Sequence, residues 1–176
     1  GAGTGTSMAA PTTTGSLALL YQRYRQLHGG ADPAAALVKT LACNTAEDLG
    51  NAGPDFTFGF GMLNARRAVE AMEGNRYITA TVAPGGNNTH VIAVPANTRR
   101  LKIMLYWADI AAADNAAVAL VNDLDLSVSE PSSLLHRPLV LNSSIAGVNN
   151  IAVEGIDRVN NIEQVVIENP AAGNYT

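Results

Sequence analysis

The stretch Gly5-Thr6-Ser7-Met8-Ala9-Ala10-Pro11 decides how the chain is read. Small residues surround one serine and leave its hydroxyl uncrowded, and an apolar run with helical spacing follows. Pro11 suits the first turn of that helix, where its missing N–H costs nothing. Ser7 is then expected where unpaired backbone N–H groups and the positive end of the helix dipole favour a developing oxyanion. A plainer role competes, because Thr4, Thr6 and Ser7 are each able to cap the helix.

Downstream, Leu17, Leu20, Tyr21, Tyr24 and Leu27 recur three and four apart, which predicts a helix over 11–27 closed by Gly29-Gly30. Asp32-Pro33 is expected to cap and start a second helix whose apolar face is Leu37, Val38 and Leu41. A loop over 45–58 leads into Gly59-Phe60-Gly61-Met62-Leu63-Asn64-Ala65 and a short helix, Ala65 to Met72. Two glycines flanking an aromatic predict a tight backbone turn there.

After Glu73-Gly74-Asn75 the period changes from helical to alternating. Strands are predicted over 77–82, 90–94, 101–107, 120–128 and 162–167, with the start of a sixth at Asn174-Tyr175-Thr176. Leu101, Ile103, Leu105, Leu124, Leu126, Val128, Ile162 and Val165 form the expected core. Short strands punctuated by turns indicate an antiparallel sandwich or barrel.

Apolar residues make up 47% of the 176, charged residues 15%, and the net charge is −4. This is a globular composition with scattered basic residues, which gives nucleic acid no electrostatic footprint. No apolar run approaches the roughly 20 residues that span a bilayer. The one cysteine, Cys43, falls in an apolar helical pattern and is expected in the core.

The heptapeptide around Ser7 resembles the serine-nucleophile motif of the subtilisin-like serine proteases, the subtilases. Gly59-Phe60-Gly61-Met62-Leu63-Asn64-Ala65, about fifty residues on, resembles the segment that closes their catalytic domain. Leu105-Tyr106-Trp107-Ala108-Asp109, Leu120 to Leu126, Asn160 to Glu163 and Ala172 to Thr176 resemble the C-terminal jelly-roll domain of the alkaline, oxidation-resistant bacterial subtilases. The resemblance implies an α+β fragment: residues 1–75 as the helical C-terminal third of an α/β catalytic domain, and residues 76–176 as a β-sandwich of jelly-roll type, cut before its last strand or strands. It implies a secreted endopeptidase acting on protein or peptide substrates, with Ser7 as nucleophile. The family order of aspartate, histidine, serine places the other triad members and the oxyanion asparagine upstream, so the upstream part of the catalytic domain is an expected partner and this chain alone is expected to be inactive. His28, His90 and His136 match no family motif and are expected at the surface. The competing function is a non-catalytic binding or stabilising β-sandwich module of a pseudoprotease.

Asp109, Asn122, Asp123 and Asp125 have two readings. Several hard oxygen donors suit calcium, which relatives bind in the jelly roll; a solvated strand face with a turn aspartate has the same residue pattern.

Overall fold

The three-and-four spacing of Leu17, Leu20, Tyr21 and Tyr24 becomes one side of α1, Thr6–Leu27, in the computed structural model, which describes residues 5–176. Thr4, one of the candidate caps, lies outside the described residues. Leu20 is fully buried with Leu37, Val38 and Leu41 of α2, Ala35–Asn44, and with Ala68 and Met72 of α3, Ala65–Glu73. Full burial of such a leucine contributes about 1.5–3 kcal/mol. The end of α1 follows its glycines: Gly29 takes φ +63°, and the Gly30 N–H donates to the Arg25 carbonyl at 2.8 Å, the bond of a Schellman cap. Asn64 caps α3 by accepting from the Arg67 N–H at 2.9 Å.

Two helix starts depart from expectation. Asp32 does not cap α2, because its carboxylate pairs with Arg25 at 2.5 Å, and the cap position passes to Ala34. The hydrogen bond from Arg25 holds the Asp32 carboxyl below the usual carboxylate range. Pro11 is not in the first turn of α1 but is its sixth residue, with Gly5 as the N-cap.

These helices belong to one of two compact units, made of the chain up to Glu47 together with Phe60–Thr79; the other comprises Asp48–Gly59 and Ala80–Thr176. The segment Asp48–Gly59, which precedes the glycine-aromatic turn, therefore clusters with the β-rich unit. Asp55 organises it: its carboxylate accepts the N–H groups of Asn51, Thr57 and Phe58 at 3.0, 2.8 and 2.6 Å. A side chain at Gly50, which sits at φ +81°, would meet that carboxylate.

The β-rich unit contains β1 (Ile92–Val94), β2 (Arg100–Tyr106), β3 (Val128–Ser129), β4 (Leu135–His136), β5 (Leu139–Val140), β6 (Val153–Glu154), β7 (Ile162–Glu168) and β8 (Gly173–Tyr175). They pair as four antiparallel two-stranded ladders: β1 with β8, β2 with β7, β3 with β4, and β5 with β6. The longest, β2–β7, sets Leu105 opposite Glu163 and Ile103 opposite Val165. Backbone bonds exchanged between Ser129 and Thr176, at 2.7 and 3.0 Å, carry the pairing of β3 on past the end of β8. Val94, Val128, Val165, Ile167 and Tyr175 form the core, with Leu101, Ile103 and Leu126 against it. The chain is thus mixed helix and strand, with small antiparallel sheets among the described residues.

Two predicted strands are corrected. Residues 77–82 form no strand, and 78–91 are exposed throughout, so no ladder partner covers them. Of 120–128 only its last residue is in a strand, although Leu124, Leu126 and Val128 do turn inward while Asp123, Asp125 and Ser127 face water. The reason is visible at Leu126, whose N–H donates to the Glu163 carboxylate rather than to a neighbouring strand carbonyl.

Candidate functional site

Ser7 is the second residue of α1 and is exposed. The Met8 and Ala9 N–H groups both donate to the Gly5 carbonyl, at 3.0 and 3.2 Å, so the first turn is tightly closed behind the serine. At this position the Ser7 N–H has no acceptor within the helix and lies at the positive dipole end. Pro11 acts on the same residue. Four positions on, it has no N–H to offer the Ser7 carbonyl, and its ring crowds that carbonyl. Thr12, Thr14 and Ser16 then return their hydroxyls to the carbonyls of Met8, Ala10 and Thr12, at 3.1, 2.9 and 3.0 Å. Such back-bonds bend a helix. The sequence pattern thus builds an irregular, polar N-terminal half on α1 while its C-terminal half carries the packing.

The histidines have other commitments. His28 lies at the far end of α1, 21 residues from Ser7 and about 30 Å away at 1.5 Å per residue. Its Nδ1 contacts the Tyr24 carbonyl at 2.9 Å, its Nε2 the Tyr77 hydroxyl at 3.0 Å, and its ring stacks on Tyr24. His136 sits between Glu130 and Glu154. His90 is exposed. Cys43 is half-buried, and burial pushes its thiol above the usual range, which suits packing rather than nucleophilic attack.

The four candidate calcium ligands fall into two groups. Burial works against charge on Asp109, yet N–H groups from Val121, Asn122 and Ile110 and the Asn122 side-chain amide hold its carboxyl below the usual range. Asp123 and Asp125 instead share Arg158, whose Nη1 donates to them at 2.7 and 2.9 Å. Among the described residues no group of three or more His, Cys, Asp or Glu is arranged to hold a metal ion. The Arg158 guanidinium thus already engages two of these four side chains.

Sequence reading missed Glu163 as a site. The residue is 2% exposed, one carboxylate oxygen accepts from the Leu126 N–H at 2.5 Å, and the other has no hydrogen-bond partner. Burial, with Asp125, Asp157 and Asp123 nearby, pushes its carboxyl up to about 7. A signal was present: Glu163-Gln164 interrupts the apolar run between Ile162 and Ile167.

Residues 1–61 match the Subtilase family model. Over 65 residues, 37% of this chain and 6% of the relative, the sequence is 49% identical to an extracellular serine protease of Serratia marcescens. Over the same share it is 38% identical to the autotransporter lipoprotein NalP of Neisseria meningitidis serogroup B. A longer match, covering 97% of this chain, is to the serine protease/ABC transporter B family protein tagA of Dictyostelium discoideum, at 25% identity. The chain spans only 6–11% of the length of these relatives. Among the described residues no helix is long and apolar enough to cross a membrane. The motif around Ser7, the start of the glycine-aromatic turn before α3 and the family match fall on one segment, residues 1–61, which is similar to the subtilases.

Proposed function

We propose that this chain is the nucleophile-bearing part of a secreted serine endopeptidase. The observation that carries the reading is the exposed Ser7 hydroxyl in the first turn of α1, inside Gly-Thr-Ser-Met-Ala-Ala-Pro. A base removes the hydroxyl proton as Ser7 Oγ bonds to the substrate carbonyl carbon. The Ser7 N–H and the helix dipole stabilise the resulting oxyanion. Collapse breaks the peptide C–N bond, the proton passes to the departing amine, and water hydrolyses the acyl-enzyme. The base, its orienting aspartate and a second oxyanion donor come from the rest of the catalytic domain in the parent protein. Alone the chain is inactive, because those three groups lie upstream in the family order and His28, on the same helix as Ser7, is about 30 Å from it. The β-rich unit is an accessory domain of jelly-roll type. Calcium bound by Asp109, Asn122, Asp123 and Asp125 is a further proposal, and binding would have to displace Arg158.

The test is casein hydrolysis by the parent protein and its Ser7→Ala variant. The variant is expected to lose about 10⁶-fold in kcat, the loss subtilisin suffers without its serine. An inactive wild-type parent, or a variant as active as wild type, would favour the non-catalytic module of a pseudoprotease or another nucleophile.

A further inference from the structure

His136 offers two ring nitrogens to two carboxylates. Nδ1 lies 2.9 Å from Glu154 Oε1 and Nε2 lies 3.0 Å from Glu130 Oε1, with the histidine side chain 15% exposed. The three residues belong to different elements. Glu130 follows β3 in the turn closed by the Glu130 N–H to Leu134 and the Ser133 N–H to Glu130, His136 is on β4, and Glu154 is on β6. An ionised carboxylate only accepts, so a neutral imidazole with a single N–H satisfies one of them and turns a lone pair toward the other. The imidazolium satisfies both.

We propose that His136 is a proton-operated clasp between the β3–β4 hairpin and β6. When the ring is charged it donates to both carboxylates and ties the two ladders together. When it loses a proton, the contact to Glu154 opens. Glu154 is 44% exposed against 18% for Glu130, so it has water to turn to, whereas Glu130 also accepts from the Ser132 hydroxyl at 3.0 Å. Opening frees the Arg137 N–H as well, which donates to the second Glu154 oxygen at 3.1 Å. The other titratable group facing the cluster is Tyr175, whose buried hydroxyl donates to the Ala171 carbonyl and stays neutral as burial raises its pKa. Burial works against charge on His136, but the two carboxylates outweigh it and hold the imidazole above its ordinary 6.5. The clasp is therefore closed below pH 6.5 and opens as pH rises through the folded-state value.

The experiment is an NMR titration of the histidine ring nitrogens in the full 176-residue chain, with Arg137 amide exchange followed alongside. His136 is expected to titrate above 6.5, and its midpoint is expected to fall in Glu154→Gln. In the wild type, Arg137 exchange relative to Leu135 is expected to speed several-fold above that midpoint. A midpoint at or below 6.5, or one unmoved by Glu154→Gln, would overturn the clasp. If the variant does not fold, Arg137 exchange that ignores the wild-type midpoint overturns it equally.

Discussion

The helical unit and the β-rich unit solve the same problem of burying apolar surface by different means. In the first, one leucine at helical spacing, Leu20, meets residues of α2 and α3, and the backbone bonds run within each helix. In the second, side chains stand in for missing strands: Glu163 accepts the Leu126 N–H, Asp157 those of Val159 and Asn160, and Asp109 those of Val121 and Asn122. Helical order is local and rests less on titration, because its ion pairs, such as Arg25 with Asp32, are exposed and screened. Order bought through carboxylates depends on their protonation, which makes the β-rich unit the pH-sensitive half.

The largest structural effect is expected from the cores. Leu20→Ala should cost the helical unit about 2–5 kcal/mol and leave amide protection in β7 unchanged, and Ile167→Ala should do the reverse. Hydrogen exchange reads both, and loss of protection in both units from either substitution would break the division. Leu124→Asp, on a half-buried residue outside any strand, should cost less than a charge placed at Val165, which is 1% exposed.

Calcium comes next. If it binds at Asp123 and Asp125, chelator should lower the melting temperature of the β-rich unit and calcium, not magnesium, restore it; saturation at a hundred times Kd is worth about 2.7 kcal/mol. Arg158→Ala should then strengthen the response by freeing both carboxylates. An unchanged melting temperature in chelator and in millimolar calcium, with and without Arg158, removes calcium from the account.

A smaller effect concerns Glu163. Its folded-state pKa, about 7, lies above the ordinary carboxylate value, so its contribution to stability is full below about 4.5 and is lost as pH rises through 7. The β-rich unit should melt a few degrees higher at pH 5.5 than at pH 8, at about 2–4 °C per kcal/mol. Glu163→Gln should narrow that gap by raising stability at pH 8, and what remains belongs to His136. A gap of opposite sign in the wild type would contradict both assignments.

How far the sequence could be read follows the same divide. Helix periods, the Gly29-Gly30 stop and the antiparallel character of 101–107 and 162–167 were legible because each rests on neighbours in sequence or on simple alternation. Asp32 was misread as a cap because its partner, Arg25, competes through space. The inward alternation of Leu124, Leu126 and Val128 was right, yet alternation does not reveal that a glutamate 37 residues away takes the Leu126 N–H. Ser7 was legible as a motif, and its place inside the first turn rather than before it was not, since Gly5 and Pro11 each permit more than one helix start.

The most direct measurement of the central claim is labelling with a fluorophosphonate probe, located by peptide mass, on the parent protein and on the isolated 176-residue chain. Covalent label on Ser7 in the parent, and none in the isolated chain, is the result expected of a nucleophile whose base lies elsewhere in the protease. Label on a different serine of the parent, or on Ser7 of the isolated chain, would contradict it.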